Sequence, residues 1–155
     1  MNKHLKQFVI EKFNKPRKSL DLGAGNFSDV EDLKKIGWKA DGVDLKTGVD
    51  LEYLFESKDK PFDLVYSNYV IHKIKNKKEF IKTIYINLKK DGWFFVQTFD
   101  KLDVNSKSDL SNEYLQKIFK DAGFYNIKTK VFDFYDNTKG HNHWHKILEI
   151  FGQKK

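Results

Sequence analysis

Apolar residues recur along the chain in two alternating spacings. Over Asn2–Phe13 they fall at Leu5, Phe8, Val9 and Phe13, one face of a helix that ends before Pro16. Lys18–Gly23 is a short apolar run into glycine, which predicts a strand. Asp29–Gly37 returns to helical spacing, with Val30, Leu33 and Ile36 on one face and Gly37 as its left-handed end. Lys39–Leu45 predicts a second strand. Phe62–Val70 is almost continuously apolar, as a strand covered on both faces should be. Lys77–Gly92 predicts a helix through Phe80, Ile81, Ile84, Tyr85 and Leu88, followed by a strand over Trp93–Phe99. After the polar stretch Asp100–Asp109, Leu110–Gly123 predicts a helix. Ser111 is its N-cap, and Leu110 is placed to staple onto Leu115. Phe124–Tyr135 and Trp144–Lys154 are two last strands joined by Asp136–His143.

Strands alternating with helices predict an α/β domain with a parallel sheet covered on both faces. The last two strands have no helix between them, so they should pair antiparallel. One segment resists the scheme. Val49–Phe55 reads as a third strand, yet only Lys46, Thr47 and Gly48 separate it from the second. A parallel crossover normally takes about a dozen residues. The third strand is therefore either a stub or a trimmed edge. There is no repeat and no linker, and 155 residues suit one domain, 1–155.

Composition narrows the picture only a little. The formal charge is +7, but Arg17 is the only arginine among 29 basic residues. Arginine is the preferred residue for forked contacts to phosphates and bases. The lysine excess, with many Asn, Ile, Phe and Tyr, fits an A/T-rich coding sequence. Nucleic acid is therefore a possible partner but not the favoured one. Without cysteine there is no disulfide, thiolate metal site or cysteine nucleophile. The first residues lack the apolar core of a signal peptide, and no apolar run approaches the roughly 20 residues of a membrane span. A cytoplasmic protein with no membrane partner, monomeric or homodimeric, is the expectation.

The chemistry gathers at the first turn. Gly23 and Gly25 fall where the first strand enters its helix, and Asp44 ends the second strand 19 residues after Gly25. A glycine turn lets a ligand approach the backbone closely. A carboxylate at the next strand end can accept both hydroxyls of a ribose. Nicotinamide dehydrogenases and S-adenosylmethionine methyltransferases both use this pattern. "LDLGAGNF", "GVDL", "VDLEYL", "PFDLVYSNYVIHKI", "LKKDGWFFV" and "LSNEYLQKIFKDAGF" resemble, in order, the motifs of class I S-adenosylmethionine-dependent methyltransferases. The dehydrogenase pattern fits less well: its third glycine would fall at Ser28, and no residues remain for a catalytic domain.

The resemblance implies a Rossmann-like doubly wound sheet in the order 3-2-1-4-5-7-6, with strand 7 antiparallel and helices on both faces. It implies S-adenosylmethionine as cofactor and S-adenosylhomocysteine as product. Asp21, Gly23 and Gly25 would hold the methionine end, Asp44 the ribose, and Leu45 would pack on the adenine. Asp50 and Leu51 would meet the adenine edge, and Ser67 would lie beside the methionine or the methyl group. The chain departs from the pattern at Phe27, which stands at a further glycine of the motif, and in the missing helix before Asp50.

The acceptor is less legible. The covalent route to pyrimidine 5-methylation needs a cysteine the chain lacks. "SNYV" replaces the N-P-P-Y of enzymes that methylate exocyclic or amide nitrogens. With no insertion for a recognition domain, a small-molecule acceptor is expected. RNA, a translation-related protein, or a non-catalytic donor-binding subunit are the alternatives. His72 aligns with a histidine common in small-molecule methyltransferases. His141, His143 and His145 alternate, so an extended backbone would put them on one face. They could contact the acceptor, with His143 or His145 as a base, bind a metal, or cap a hairpin. No metal is expected, and His143, His145 and His72 are the catalytic candidates.

Overall fold

A computed structural model describes residues 1–155. Helix α1 (Lys3–Lys12) is capped by the Asn2 side chain, which accepts from the His4 and Leu5 amides. Strand β1 (Lys18–Leu22) leads through the glycine turn into α2 (Ser28–Lys35), and β2 (Lys39–Val43) follows. Next come β3 (Phe62–Asn68), α3 (Lys77–Asn87), β4 (Leu88–Phe99), α4 (Asn112–Asp121), β5 (Phe124–Asp136) and β6 (His143–Lys154). The six strands form one sheet in the order β2-β1-β3-β4-β6-β5. The pairs among β2, β1, β3 and β4 are parallel, whereas β6 runs antiparallel to both β4 and β5.

This is the expected doubly wound sheet less one strand. Val49–Leu54 forms no strand, so the order 3-2-1-4-5-7-6 is corrected to one without its third member. The cause is local. The Asp44 carboxylate accepts from the Lys46 amide, and the Asp44 N–H donates to the Thr47 hydroxyl. This box turns the chain through a 3-10 turn at Leu45–Thr47, and left-handed Gly48 ends it. Asp50 then accepts from the Glu52 amide, and Glu52 accepts from the amides of Lys75 and Asn76. The polar groups of this segment are thus spent on turns, and Leu51 is buried in the core.

A second correction concerns α3, which stops at Asn87 instead of running to Gly92. The Asn87 amide donates to the carbonyls of Phe55 and Thr83, and Leu88 already pairs with Phe62 as the first residue of β4.

Two cores lie on the two faces of the sheet, and alternate strand residues feed them. Val65 points to the side covered by Phe80 and Ile84 of α3 and by Leu115 and Phe119 of α4. Its neighbours Leu64 and Tyr66 point to the side covered by Leu5 and Phe8 of α1 and by Val30 and Leu33 of α2. The β5–β6 hairpin outruns the sheet. Pairing of β6 with β4 stops at Phe99–Ile147, while β5 and β6 stay paired as far as Asp136–His143. This overhang sits at the carboxyl end of the parallel strands, where the turns after β1 and β3 also lie.

Candidate functional site

The turn after β1 is held by the Gly23 and Ala24 amides, which donate to the Val43 carbonyl at 2.8 and 2.9 Å. Gly23 has φ +88, and a Cβ there would stand 2.3 Å from a Val70 methyl. Only glycine fits that position. Gly25, at φ +57, faces open space. Phe27 is left-handed at φ 63, and Tyr69, just after β3, at φ 60. Bulky residues in that region are strained by about 1–2 kcal/mol, and such strain collects at functional sites. The Gly25 amide donates to Asp44 Oδ2 at 3.1 Å, so the two ends of the expected donor site already touch.

Asp21 lies beneath this turn, 3% exposed. Its Oδ1 and Asn68 Oδ1 are buried without a hydrogen-bond partner. Burial, then the neighbouring Asp29 carboxylate, pushes the Asp21 carboxyl up to about 8. Tyr66 counters this in part, and Asp44 adds to the rise. Such unpartnered polar atoms beside an open glycine turn are what a polar, cationic ligand group would satisfy.

The other sequence-derived donor residues are placed as follows. Leu45 is 73% exposed beside Asp44. Asp50 is exposed and caps the following turn, whereas Leu51 points into the core. Ser67 is fully buried, and its hydroxyl donates to the Leu22 carbonyl at 2.7 Å, which supports the turn from below.

A cavity of about 620 Å³ opens between α1, the turn after β3 and the hairpin overhang. Its walls are aromatic: Tyr69, Phe99, Phe132 and Phe134, with His72 and His145. Lys3, Lys73, Gln97 and Asp136 add polar groups. His72 bonds through Nδ1 to the Thr98 hydroxyl at 3.1 Å. Burial, helped by Lys73 and Lys77, pulls it down to about 4, so it is neutral at neutral pH.

The three hairpin histidines do share a face. The His141 and His143 rings lie 5.6 Å apart and those of His143 and His145 4.5 Å apart. No three His, Cys, Asp or Glu side chains anywhere in the chain converge as metal ligands.

Several residues at the site were not singled out from the sequence. Asp29 accepts from the Asn2 amide and from the Asn68 side chain, which ties α1 and β3 to the start of α2. Asn2 also donates to Gln97, which donates to buried Glu149. Asp103, in the loop after β4, bonds His145 at 2.9 Å. An acid in the first turn of a helix is a legible anchor, so Asp29 was the one within reach.

Residues 2–118 match the sequence model of the methyltransferase-domain family. The chain belongs to that family. Among solved structures, this methyltransferase domain is similar to an S-adenosylmethionine-dependent methyltransferase from Archaeoglobus fulgidus. Identity is 20%, the alignment covers 97% of this chain and 91% of that one, and the TM-score is 0.72. It is also similar to the 1,6-didemethyltoxoflavin-N1-methyltransferase of Burkholderia thailandensis, solved with 1,6-didemethyltoxoflavin and S-adenosylhomocysteine. There the identity is 16%, coverage 99% and 78%, and the TM-score 0.73. A methyltransferase of Haloferax volcanii in complex with the activator Trm112 aligns with 14% identity, coverage of 97% and 88%, and a TM-score of 0.72. At these identities the likeness of the methyltransferase domain to solved structures is one of fold. Among curated proteins none matches the chain by sequence. No helix is long and apolar enough to cross a membrane.

Proposed function

We propose that this methyltransferase domain moves the methyl group of S-adenosylmethionine to a small-molecule acceptor and releases S-adenosylhomocysteine. The observation that carries the donor half is the buried, unpartnered Asp21 oxygen under a left-handed glycine turn, with Asp44 across the opening. Asp21 and the turn would take the amino-acid end, Asp44 the ribose hydroxyls, and exposed Leu45 one face of the adenine. Asp50 would lie at the adenine edge, with Leu51 and Ser67 supporting the walls from the core.

Bound S-adenosylmethionine supplies an electrophilic methyl group. The chain's own residues orient the acceptor and exclude water, which can supply most of the acceleration in such a displacement. A cavity of about 620 Å³ suits a small molecule, and the Burkholderia protein, which acts on one, supports that scale. Neutral His72 is suited to hold an acceptor by a hydrogen bond.

Titration calorimetry with S-adenosylhomocysteine tests the donor half. Asp44→Asn keeps a good turn cap but loses the charge on the ribose bonds. Affinity should fall by about tenfold or more, the weight of roughly 1.5–3 kcal/mol per charged bond. An unchanged affinity, or tighter binding of a nicotinamide dinucleotide to the parent chain, would refute the assignment.

A further inference from the structure

We propose that the cavity at the end of β4 takes a flat aromatic acceptor bearing an ionisable hydroxyl. In this proposal His145 is the base that removes the hydroxyl proton, and Asp103 is its positioning residue. The inference rests on the donor site assigned above and adds the acceptor half.

The shape argument comes first. Phe99 sits at the centre of the cavity wall, with the rings of Tyr69, His72 and His145 at 5.0, 5.0 and 4.8 Å from it. Phe132 stacks on His4 at 4.6 Å. Flat walls of this kind select a flat guest, because ring faces pack best against rings. Lys3 and Lys73 line the same cavity and suit an oxygen that becomes anionic.

The hydrogen-bond argument fixes the proton. Asp103 has a side chain with no exposed surface. Its Oδ1 accepts from the Asn105 amide at 2.8 Å, and its Oδ2 accepts from the Lys146 amide at 2.7 Å. Burial would raise this carboxyl, but those two amides and His145 together hold it below its ordinary range. An ionised carboxylate only accepts, so the proton on the His145 side must sit on Nδ1. His145 Nε2 then carries a lone pair. His143 Nε2 lies 3.0 Å away, and opposite a neutral His145 it is the donor. The position an acceptor O–H would take is thus held by an N–H from the hairpin, and an incoming hydroxyl replaces it.

An oriented base is needed for one class of acceptor. An amine already offers a lone pair, whereas a neutral hydroxyl is a poor nucleophile until its proton leaves. In the step, the acceptor O–H bond breaks and its proton goes to His145 Nε2. The oxygen pair forms the new bond to the methyl carbon. The C–S pair stays on sulfur, which becomes a neutral thioether. The imidazolium then gives its Nε2 proton to water once the methylated product has left. The other ionisable groups around the base are Asp136, Lys3, His4, Lys73, Tyr69 and His72 in the cavity wall, and His141 beyond Asp136.

The test uses 4-nitrophenol as an acceptor surrogate, because its anion absorbs visible light. Bound to the parent chain, its ionisation midpoint should fall by about one pH unit or more, a tenfold gain in acidity. His145→Gln should abolish the fall. Asp103→Asn should abolish most of it, and nitrogen-15 spectra should show His145 losing its Nδ1–H form. His143→Ala should bind the nitrophenolate more tightly, since the competing donor is gone. S-adenosylhomocysteine affinity, measured on each variant, should stay at the parent value and reports a folded donor site. The proposal is overturned if 4-nitrophenol does not bind, if its midpoint is unmoved, or if His145→Gln shifts it as the parent does. Failure of S-adenosylhomocysteine to bind the parent chain would remove the donor assignment instead, while the absorbance result still decides the base.

Discussion

Asp21 carries opposite consequences for folding and for binding. Its carboxyl is raised from 3.8 to about 8 by burial and by Asp29, so between those values the folded chain binds more protons than the unfolded one. Stability must therefore fall as pH rises through that window. Asp21→Asn removes the group that titrates. Urea unfolding of the variant should show a flatter dependence between about pH 4 and 8, and greater stability than the parent near pH 8. The same variant should bind S-adenosylhomocysteine more weakly, because the proposed partner of the ligand's ammonium is lost. A parent chain whose stability is level across this window would contradict the sign. At this scale the sequence was legible where one residue type has one use. Gly23 is required by the Val70 methyl and its positive φ, and Asp44 by its place at a strand end. Asp103 was not legible, because its value comes from three donors that only the folded loop assembles.

Among the elements, α1 joins the two halves of the site. Its apolar face packs Phe8 against Trp93, Phe95 and Phe151, with ring centroids 5.7, 5.1 and 5.2 Å away. Its first turn reaches Asp29 on the donor side and Gln97 on the acceptor side. Phe8→Ala should cost about 3–5 kcal/mol in urea unfolding, the range for a buried ring removed from a packed core. It should also weaken 4-nitrophenol binding more than S-adenosylhomocysteine binding, since Lys3 and His4 line the acceptor cavity. Equal loss of both ligands would deny α1 that selective role. The helices and strands themselves followed from periodicity, and the exceptions have side-chain causes. Val49–Leu54 has a strand's composition, yet the turn set by Asp44, Thr47 and Gly48 leaves no length for a crossover. The last turn of α3 keeps helical spacing through Leu88, yet Asn87 bonds back to Phe55 and β4 begins one residue later. Local periodicity is blind to both, because the deciding bonds reach across the fold or depend on chain length.

The whole molecule is asymmetric between its two sheet edges. With the third strand gone, β2 is an edge of only five residues that turns charged Lys39 and Asp41 outward. Short, charged edges resist pairing with another chain. The opposite edge, β5, has thirteen residues and continues past the end of β4. Up to Phe132 its pairs are backed by a β6 that β4 also holds. Beyond that point the hairpin tip is two strands wide and is held by the loop at Asp100–Asn105, through the Asp100 and Lys146 amides, the Asn105 side chain and the His145–Asp103 bond, and by Lys3 over the Phe134 ring. A two-stranded ribbon is marginal alone, so its opening free energy lies well below that of the central sheet. Deuterium should enter the amides of Asp133–Asp136 far sooner than those of Lys128–Lys130, by roughly a hundredfold for each 3 kcal/mol between the two openings. Exchange followed by mass spectrometry measures it, and equal uptake along β5 would show the tip to be as firm as the sheet. Phe134 and Asp136, on this tip, also line the proposed acceptor cavity. Occupancy of that cavity is therefore written into the isotope content of a few residues: a molecule seated there slows uptake at Asp133–Asp136 and leaves Lys128–Lys130 as they were. That gives a way to screen for the acceptor without observing a single turnover.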